Sequence, residues 1–228
     1  MKWNKLYEYP TSTRSLIQGQ RHYDVGTEDK LPSVTTILSA TQPEEKRKSL
    51  ADWQARVGKD EATRIKDQAA ARGTAMHNII EKWLLGENHL DLTEIGRNAT
   101  TMAEQIIEKG LKNRLDEIWG SEVTLYYPGL YAVQNDVVDI YNGLKKIIDF
   151  KQTNKPKQRE WIDDYFTQLG AYAMAHNYVY GTDIRQGCVL MCSKDNYFQE
   201  FIIGEDEMKH YMHEWLRRVD DYYKKKDK

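Results

Sequence analysis

The chain has 228 residues, of which 40% are hydrophobic and 30% are charged, and its formal net charge is −2. These proportions are typical of a soluble globular protein that is long enough to bury a large core, in one large or two small domains. No segment approaches the roughly 18 consecutive apolar residues of a membrane-spanning helix. The small net charge argues against nonspecific coating of nucleic acid, but a local basic groove would still allow binding.

The N-terminal sequence and the cysteines favour a cytoplasmic protein. The first ten residues, MKWNKLYEYP, lack both the apolar core of a secretory signal and the Arg- and Ser-rich character of a transit peptide. Cys188 and Cys192 are four positions apart in a strand-like run, about 13 Å if extended, which is too far for a disulfide. We therefore expect reduced core cysteines and a cytoplasmic location, in a bacterial or phage-infected cell.

The first 120 residues predict a small hairpin followed by helices. Pro32-Ser33 provides a turn and a helix cap between them. Periodicity and breaker residues predict a hairpin over residues 14–25 around Gly19, helical structure over residues 44–86 with breaks at Gly58 and Gly73, and a helix over residues 93–119.

Residues 121–228 predict strands that alternate with helices. The predicted elements are three strands in meander order between residues 122 and 151, a helix over 160–180, strands over 185–193 and 197–203, and a helix over 205–224. This order predicts an α/β fold, a mixed central sheet flanked by helices, with a helical N-terminal portion. We expect a single domain over residues 1–228, with its core in residues 121–228.

The most informative segment, YAVQNDVVDIYNGLKKIIDFKQT, contains two apolar runs around Asn142-Gly143. An Asn-Gly pair between alternating strands indicates a two-residue type I′ turn, because both turn positions need positive φ. Counting outward from this turn places Asp136 opposite Asp149 on one face of the sheet. Lys151 follows about 6.6 Å further along that face. Opposed carboxylates repel each other, so two acids and a lysine together predict a divalent-metal site.

The same register separates the neighbouring acid from this site. Asp139 is an odd number of residues from Asp136 and therefore points to the opposite face, where Lys146 is its predicted ion-pair partner. A longer turn would change the register and leave Asp136 and Asp149 solvated on a surface strand. Both interpretations remain open at this point.

Two predicted helices present further candidate side chains. His77 and Glu81 share a helix face, and imidazole is a suitable metal ligand beside carboxylates, although a single helical histidine is more often structural. Gln168 and Tyr172 also share a face, and an amide and a phenol can bind a phosphate by hydrogen bonds. A helix–sheet boundary would explain that pair equally well.

Basic and aromatic residues give weaker signals. Lys155, Lys157 and Arg159 follow the predicted metal strand and could bind flanking phosphates, or form a solvated linker. The 15 tyrosines and 6 tryptophans could stack bases, but most should lie in the core or at its boundary. His210 and His213 lack a nearby third ligand and are more typical of a helix surface than of a zinc site.

Four motifs in order resemble a known nuclease family. They are LPSVTTIL, RGTAMHNIIE, an acid followed by a hairpin and DFK, and QLGAYA, between Leu31 and Asn177. This arrangement resembles the RecB-like branch of the PD-(D/E)XK nuclease superfamily, closest to the mitochondrial genome maintenance exonucleases and their phage and bacterial relatives. The resemblance implies a restriction-endonuclease-like core and a helical N-terminal portion that is a candidate DNA-threading arch.

The resemblance also implies roles for individual residues. The implied metal ligands are His77, Asp136, Asp149 and the backbone carbonyl of Phe150, and the implied catalytic residues are His77, Asp136, Asp149 and Lys151. The implied substrate-binding residues are Ser33, Thr35, Lys155, Lys157, Gln168 and Tyr172, with Glu122 and Glu81 as weaker members of the site. One position departs from the pattern, because relatives usually have glycine where this chain has Val133.

The implied activity is Mg²⁺- or Mn²⁺-dependent hydrolysis of DNA from single-stranded ends, in replication, repair or recombination. The implied partner is DNA, and no membrane partner is expected. An endonuclease or nickase could use the same residues. A noncatalytic DNA-binding protein that retains the nuclease fold is a further alternative, which only Val133 supports.

Overall fold

The computed structural model describes residues 1–28, 30–89 and 91–226. Its strands are β1 (Lys2–Trp3), β2 (Thr13–Ile17), β3 (Gln20–Asp24), β4 (Leu31–Pro32), β5 (Leu115–Tyr127), β6 (Tyr131–Tyr141), β7 (Leu144–Thr153), β8 (Gly187–Ser193) and β9 (Phe198–Ile203). Its helices are α1 (Val34–Ala40), α2 (Glu44–Val57), α3 (Lys59–Leu84), α4 (Glu94–Ile106), α5 (Asp163–Tyr180) and α6 (Glu205–Lys226). Among the described residues, no helix combines the length and apolar character needed to cross a lipid bilayer.

A six-stranded mixed sheet in the order β1-β5-β6-β7-β8-β9 forms the centre of the molecule. The β1–β5 and β7–β8 pairs are parallel, and the other pairs are antiparallel. One apolar core contains Val34 of α1, Leu169 of α5 and Trp215 of α6. The other contains Met76 of α3 and Met102 of α4. The predicted α/β class, with a mixed central sheet flanked by helices, is confirmed.

The β6–β7 hairpin has the turn and the register that the sequence predicts. Asn142 and Gly143 have φ values of 49° and 75°, as a type I′ turn requires. Tyr141 pairs with Leu144, and this register continues as far as the pair Val137–Ile148. Cys188 and Cys192 of β8 are buried and free, as predicted.

The predicted helix over residues 93–119 is wrong at its C-terminal end. α4 ends at Ile106, a π-helical turn covers Ile107–Leu111, and β5 already begins at Leu115. Residues 115–119 have no strong local preference, and pairing with β6 in the buried sheet determines their conformation. Gly120 does not precede the strand but lies inside it, where a Cβ atom would approach the Tyr9 ring to 2.8 Å.

Two smaller predictions also differ from the structure. α3 runs through Gly73 without a break. Asp139 and Lys146 are cross-strand neighbours, but they do not form an ion pair. The Lys146 ammonium instead lies 5.0 Å from the centroid of the Tyr141 ring, a favourable cation–π position. Both Asp139 carboxylate oxygens are buried without a hydrogen-bond partner among the described residues, and burial raises the pKa of Asp139 well above its usual range.

An aromatic cluster packs the N-terminal segment against α5. The rings of Tyr7, Tyr9, Trp119 and Tyr180 surround the imidazole of His176, which is fully buried. The Tyr9 hydroxyl lies 3.0 Å from His176 Nε2. Because burial disfavours the charged imidazole, it lowers the pKa of His176 to about 4.

We expect His176 to make the fold sensitive to acid. In the unfolded chain its pKa is about 6.5, so on acidification the unfolded state takes up the proton first. The contribution of neutral His176 to the free energy of unfolding is therefore fully present above pH 6.5. It is lost as the pH falls through 6.5 towards 4, by about 2 kcal/mol at pH 5. Urea denaturation of the wild type and of His176→Gln at pH 7.5 and pH 5 measures this loss. Equal losses in the two proteins would contradict the assignment to His176.

Candidate active site

The strands β6 and β7 separate at the position of the predicted acids. Their ladder ends at the pair Val137–Ile148. Beyond this pair, the Phe150 N–H donates to the Asp136 side chain, to Oδ2 at 2.5 Å. The Phe150 carbonyl oxygen lies 3.0 Å from His77 Nε2. The parting of the strands thus brings a backbone carbonyl, an imidazole and a carboxylate together.

Three elements supply a compact group of potential ligands. His77 lies on α3, Glu122 on β5 and Asp136 on β6, and their ligand atoms all lie within 4.8 Å of one another. His77 Nδ1 is 3.2 Å from Asp136 Oδ1 and 3.8 Å from Glu122 Oε1. Glu122 has a φ of 52°, a conformation that is uncommon for a residue other than glycine. Sequence patterns assign Glu122 only weakly to the site, and no periodicity predicts this backbone conformation.

Asp149 and Lys151 form the second part of the site. The two side chains make an ion pair, and the Lys151 ammonium lies 5.1 Å from the centroid of the Tyr165 ring. Asp149 and Asp136 line one cavity, but the ladder stops before the two acids can pair. Asp149 is not a member of the compact group around His77, and its carboxylate is paired with Lys151 instead.

Burial and neighbouring charges shift the pKa values of His77, Glu122, Asp136, Asp149 and Lys151. Burial lowers the pKa of His77, but the adjacent Asp136, with help from Glu122, outweighs this effect and raises it to about 10. Burial raises the pKa of Asp149 to about 6, although the Lys151 charge opposes the rise. Burial also raises the pKa of Glu122, whereas the positive charge of His77 lowers that of Asp136. The raised pKa values of His77 and Lys151 indicate that the acids create a negative potential, which favours a cation in the site.

The acids lie in an open cavity of about 400 Å³. Its other walls include four of the predicted substrate-binding residues, Ser33, Thr35, Gln168 and Tyr172. The Ser33 hydroxyl caps α1 by accepting from the Thr36 N–H. The Tyr172 hydroxyl donates to Gln168 Oε1 at 3.3 Å, which fixes both polar groups at the cavity wall.

Other predicted residues lie outside this cavity. Lys155 is exposed, and the Lys157 backbone pairs with the Gln199 side chain, so neither lysine lines the wall. Glu81 is close enough for its charge to raise the pKa of Glu122, but it does not belong to the ligand group. His210 and His213 are exposed on α6, as predicted.

Five cavity residues were not identified from the sequence as site residues. They are Arg14, Arg21, Tyr23, Gln134 and Tyr165. The first three lie on the β2–β3 hairpin, more than 100 positions before the acids, so local patterns could not link them to the site. A tyrosine close to the DFK tripeptide was the only signal for Tyr165.

The donor atoms of the site fit a hard divalent cation. Carboxylate oxygens and a backbone carbonyl are the usual ligands of Mg²⁺, and an added imidazole is compatible with Mn²⁺. Asp136 and Asp149 are almost completely buried, with exposed fractions of 7% and 3%, so their charges require compensation. His77, Glu122 and Asp136 form the group that could hold such a cation, with the Phe150 carbonyl beside His77, and Asp149 lines the same cavity.

Comparisons with known proteins give one curated relative. Over 225 residues the chain is 27% identical to the mitochondrial genome maintenance exonuclease 1 of Xenopus tropicalis, and the alignment covers 92% of this chain. The chain spans 62% of the length of that relative. No family model matches the sequence.

Solved structures show weaker likenesses. A protein of Eubacterium rectale that is described as a candidate exonuclease has a TM-score of 0.47 at 13% identity, and the match covers 68% of each chain. The alkaline exonuclease of Laribacter hongkongensis has a TM-score of 0.31 at 16% identity, with 68% of this chain and 84% of that chain covered. Both TM-scores are below 0.5, so neither supports a function. The curated relative is from the group to which the four motifs are closest, and the resemblance of this chain to the PD-(D/E)XK nucleases is thereby confirmed.

Proposed function

We propose that this protein is a metal-dependent deoxyribonuclease that hydrolyses phosphodiester bonds, acting as an exonuclease on single-stranded ends. The observation that carries this proposal is the set of groups around Phe150. Asp136, Asp149 and Lys151 face one cavity, and His77 contacts both Asp136 and the Phe150 carbonyl. A site of this composition can hold a hard cation and a phosphate at the same time.

The residues have separate roles in this proposal. Asp136, Asp149 and the Phe150 carbonyl would hold Mg²⁺ or Mn²⁺ together with His77 in its neutral form, so that metal binding would release the His77 proton. The metal would lower the pKa of a bound water and neutralise charge on the phosphate in the transition state. Lys151 would orient the attacking water or stabilise the developing negative charge, since its ammonium already lies beside Asp149. Hydrolysis adds the water oxygen to phosphorus and releases a sugar oxygen, which takes up a proton.

Two observations support action on single-stranded DNA ends. The curated relative is named an exonuclease, although this chain spans only part of its length. In addition, α2 has no buried residues, and the first half of α3 buries only Ala62. Exposed helices of this kind could form the arch through which a strand passes. A single domain over residues 1–228, with residues 1–120 contributing the arch, is part of the same proposal.

A comparison of linear and circular substrates tests whether cleavage requires a free DNA end. With Mn²⁺ present, we expect a labelled linear single strand to be degraded progressively and a circular single strand of the same sequence to remain intact. Gel analysis over time separates the two outcomes. Cleavage of the circle at a similar rate would identify an endonuclease or nickase with the same site, and binding to both substrates without cleavage would identify a noncatalytic DNA-binding protein.

A further inference from the structure

The β2–β3 hairpin has one face that carries two arginines. In its register Arg14 pairs with Tyr23 and Leu16 pairs with Arg21. Residues two apart on a strand point the same way, so these four side chains lie on one face of the hairpin. Arg14, Arg21 and Tyr23 line the cavity of the acids. The hairpin therefore forms the cationic wall of a cavity whose other end is acidic.

A second cavity adjoins the first at this wall. It has a volume of about 310 Å³, and Leu16, Arg21 and Thr35 are among its lining residues. Arg21 and Thr35 line both cavities. The Leu16 side chain is 74% exposed and supplies an apolar wall to the second cavity. Arg21 and Thr35 therefore lie between the cavity of the acids and an apolar surface.

The Arg21 backbone is fixed while its side chain remains available. Its carbonyl oxygen accepts hydrogen bonds from the Ser33 N–H at 2.9 Å and from the Thr36 hydroxyl at 3.0 Å. Arg21 and Thr35 are both exposed, and neither Arg14 nor Arg21 forms an ion pair with a carboxylate among residues 1–28, 30–89 and 91–226. A guanidinium without a carboxylate partner is suited to bind a phosphate through two hydrogen bonds.

We propose that the second cavity is a nucleotide subsite next to the reacting phosphate. Arg21 binds the neighbouring phosphate, the Thr35 hydroxyl adds a hydrogen bond, and the sugar and base pack against Leu16. Arg14 adds positive charge on the side of the acids. This proposal rests on the proposed nuclease function. Contacts of Arg21 and Thr35 with the DNA backbone, and of a base with the apolar wall, position a single strand without selecting its sequence.

Substitution of Arg21 tests the subsite by steady-state kinetics. Since the contact is made before and during the reaction, Arg21→Gln should raise KM for a linear single strand about tenfold, with kcat changed less than twofold. The plot of log affinity against log salt should also become shallower, by about 0.7 for one lost phosphate contact. Arg97→Gln is the matched control, because Arg97 is exposed on α4 and lines neither cavity.

A modified substrate locates the contact. One phosphate next to the first scissile phosphate is replaced by an uncharged methylphosphonate, on either side in turn. The wild type should lose about tenfold in kcat/KM at one of the two positions, and Arg21→Gln should lose less than twofold there. Equal losses in both proteins at each position would overturn the subsite. A wild type that cleaves no substrate would instead overturn the proposed function, so the two failures are distinguishable.

Discussion

Substitution of Asp136 by asparagine should lower the rate of DNA cleavage at least about a thousandfold. The Asp136 carboxylate accepts from the Phe150 N–H and contacts His77, so it connects all three parts of the candidate metal site. Asparagine keeps the size of the side chain but removes the negative charge that a reluctantly dehydrated cation needs. The pKa of His77 should fall as well, because the Asp136 charge is the main contribution that raises it. Cleavage rates at saturating Mn²⁺ measure the loss of activity, melting temperatures show whether the variant is folded, and NMR titration of the His77 imidazole measures its pKa.

Asp139→Asn is the matched control for this loss. Asp139 lies on the same strand and is fully buried, but its side chain does not line the cavity. The substitution replaces the same carboxylate by the same amide. We expect the control to cleave DNA at a rate within about threefold of the wild type. A folded Asp136→Asn protein with wild-type cleavage, or an equal loss in both variants, would contradict the assignment of Asp136.

Replacement of Lys151 by glutamine should lower cleavage by about a hundredfold or more, because a positioned cation of this kind stabilises developing charge. The pH profile should also change. The Lys151 charge lowers the pKa of Asp149, which burial alone would raise further, so its loss should move the acidic limb of the pH–rate profile to higher pH. Rates measured between pH 6 and pH 9 test both effects.

Lys145→Gln is the control for Lys151. Lys145 lies on the same strand but is exposed near the turn and lines a different cavity. Its substitution should change neither the rate nor the pH profile. If Lys151→Gln lost activity without any shift of the acidic limb, Lys151 would act only on the substrate and not through Asp149.

The sequence predicted those parts of the site that local rules determine. The type I′ turn at Asn142-Gly143 sets the register of β6 and β7, so the common cavity of Asp136 and Asp149 followed from strand geometry. The same rule correctly placed the Asp139 side chain outside the cavity of Asp136 and Asp149. Register is a local property here because a two-residue turn leaves no freedom to slip.

Other parts depend on contacts between distant segments. Residues 115–119 are a strand because they pair with β6, whereas their own sequence has no strong local preference. The position of Glu122 next to His77 depends on a left-handed backbone inside β5. Arg14 and Arg21 reach the cavity because their hairpin packs beside Ser33 and α1. Tertiary packing determines these features, and single-sequence patterns do not report it.

Metal-dependent cleavage of a labelled single strand is the most direct test of the central claim. The wild type is incubated with a linear oligonucleotide labelled at its 5′ or 3′ end, in Mn²⁺, in excess EDTA, and in EDTA followed by excess Mn²⁺. We predict degradation in Mn²⁺, none in EDTA, and full recovery when the metal is restored. Degradation that EDTA does not reduce, or DNA binding without cleavage in Mn²⁺ and Mg²⁺, would contradict the account.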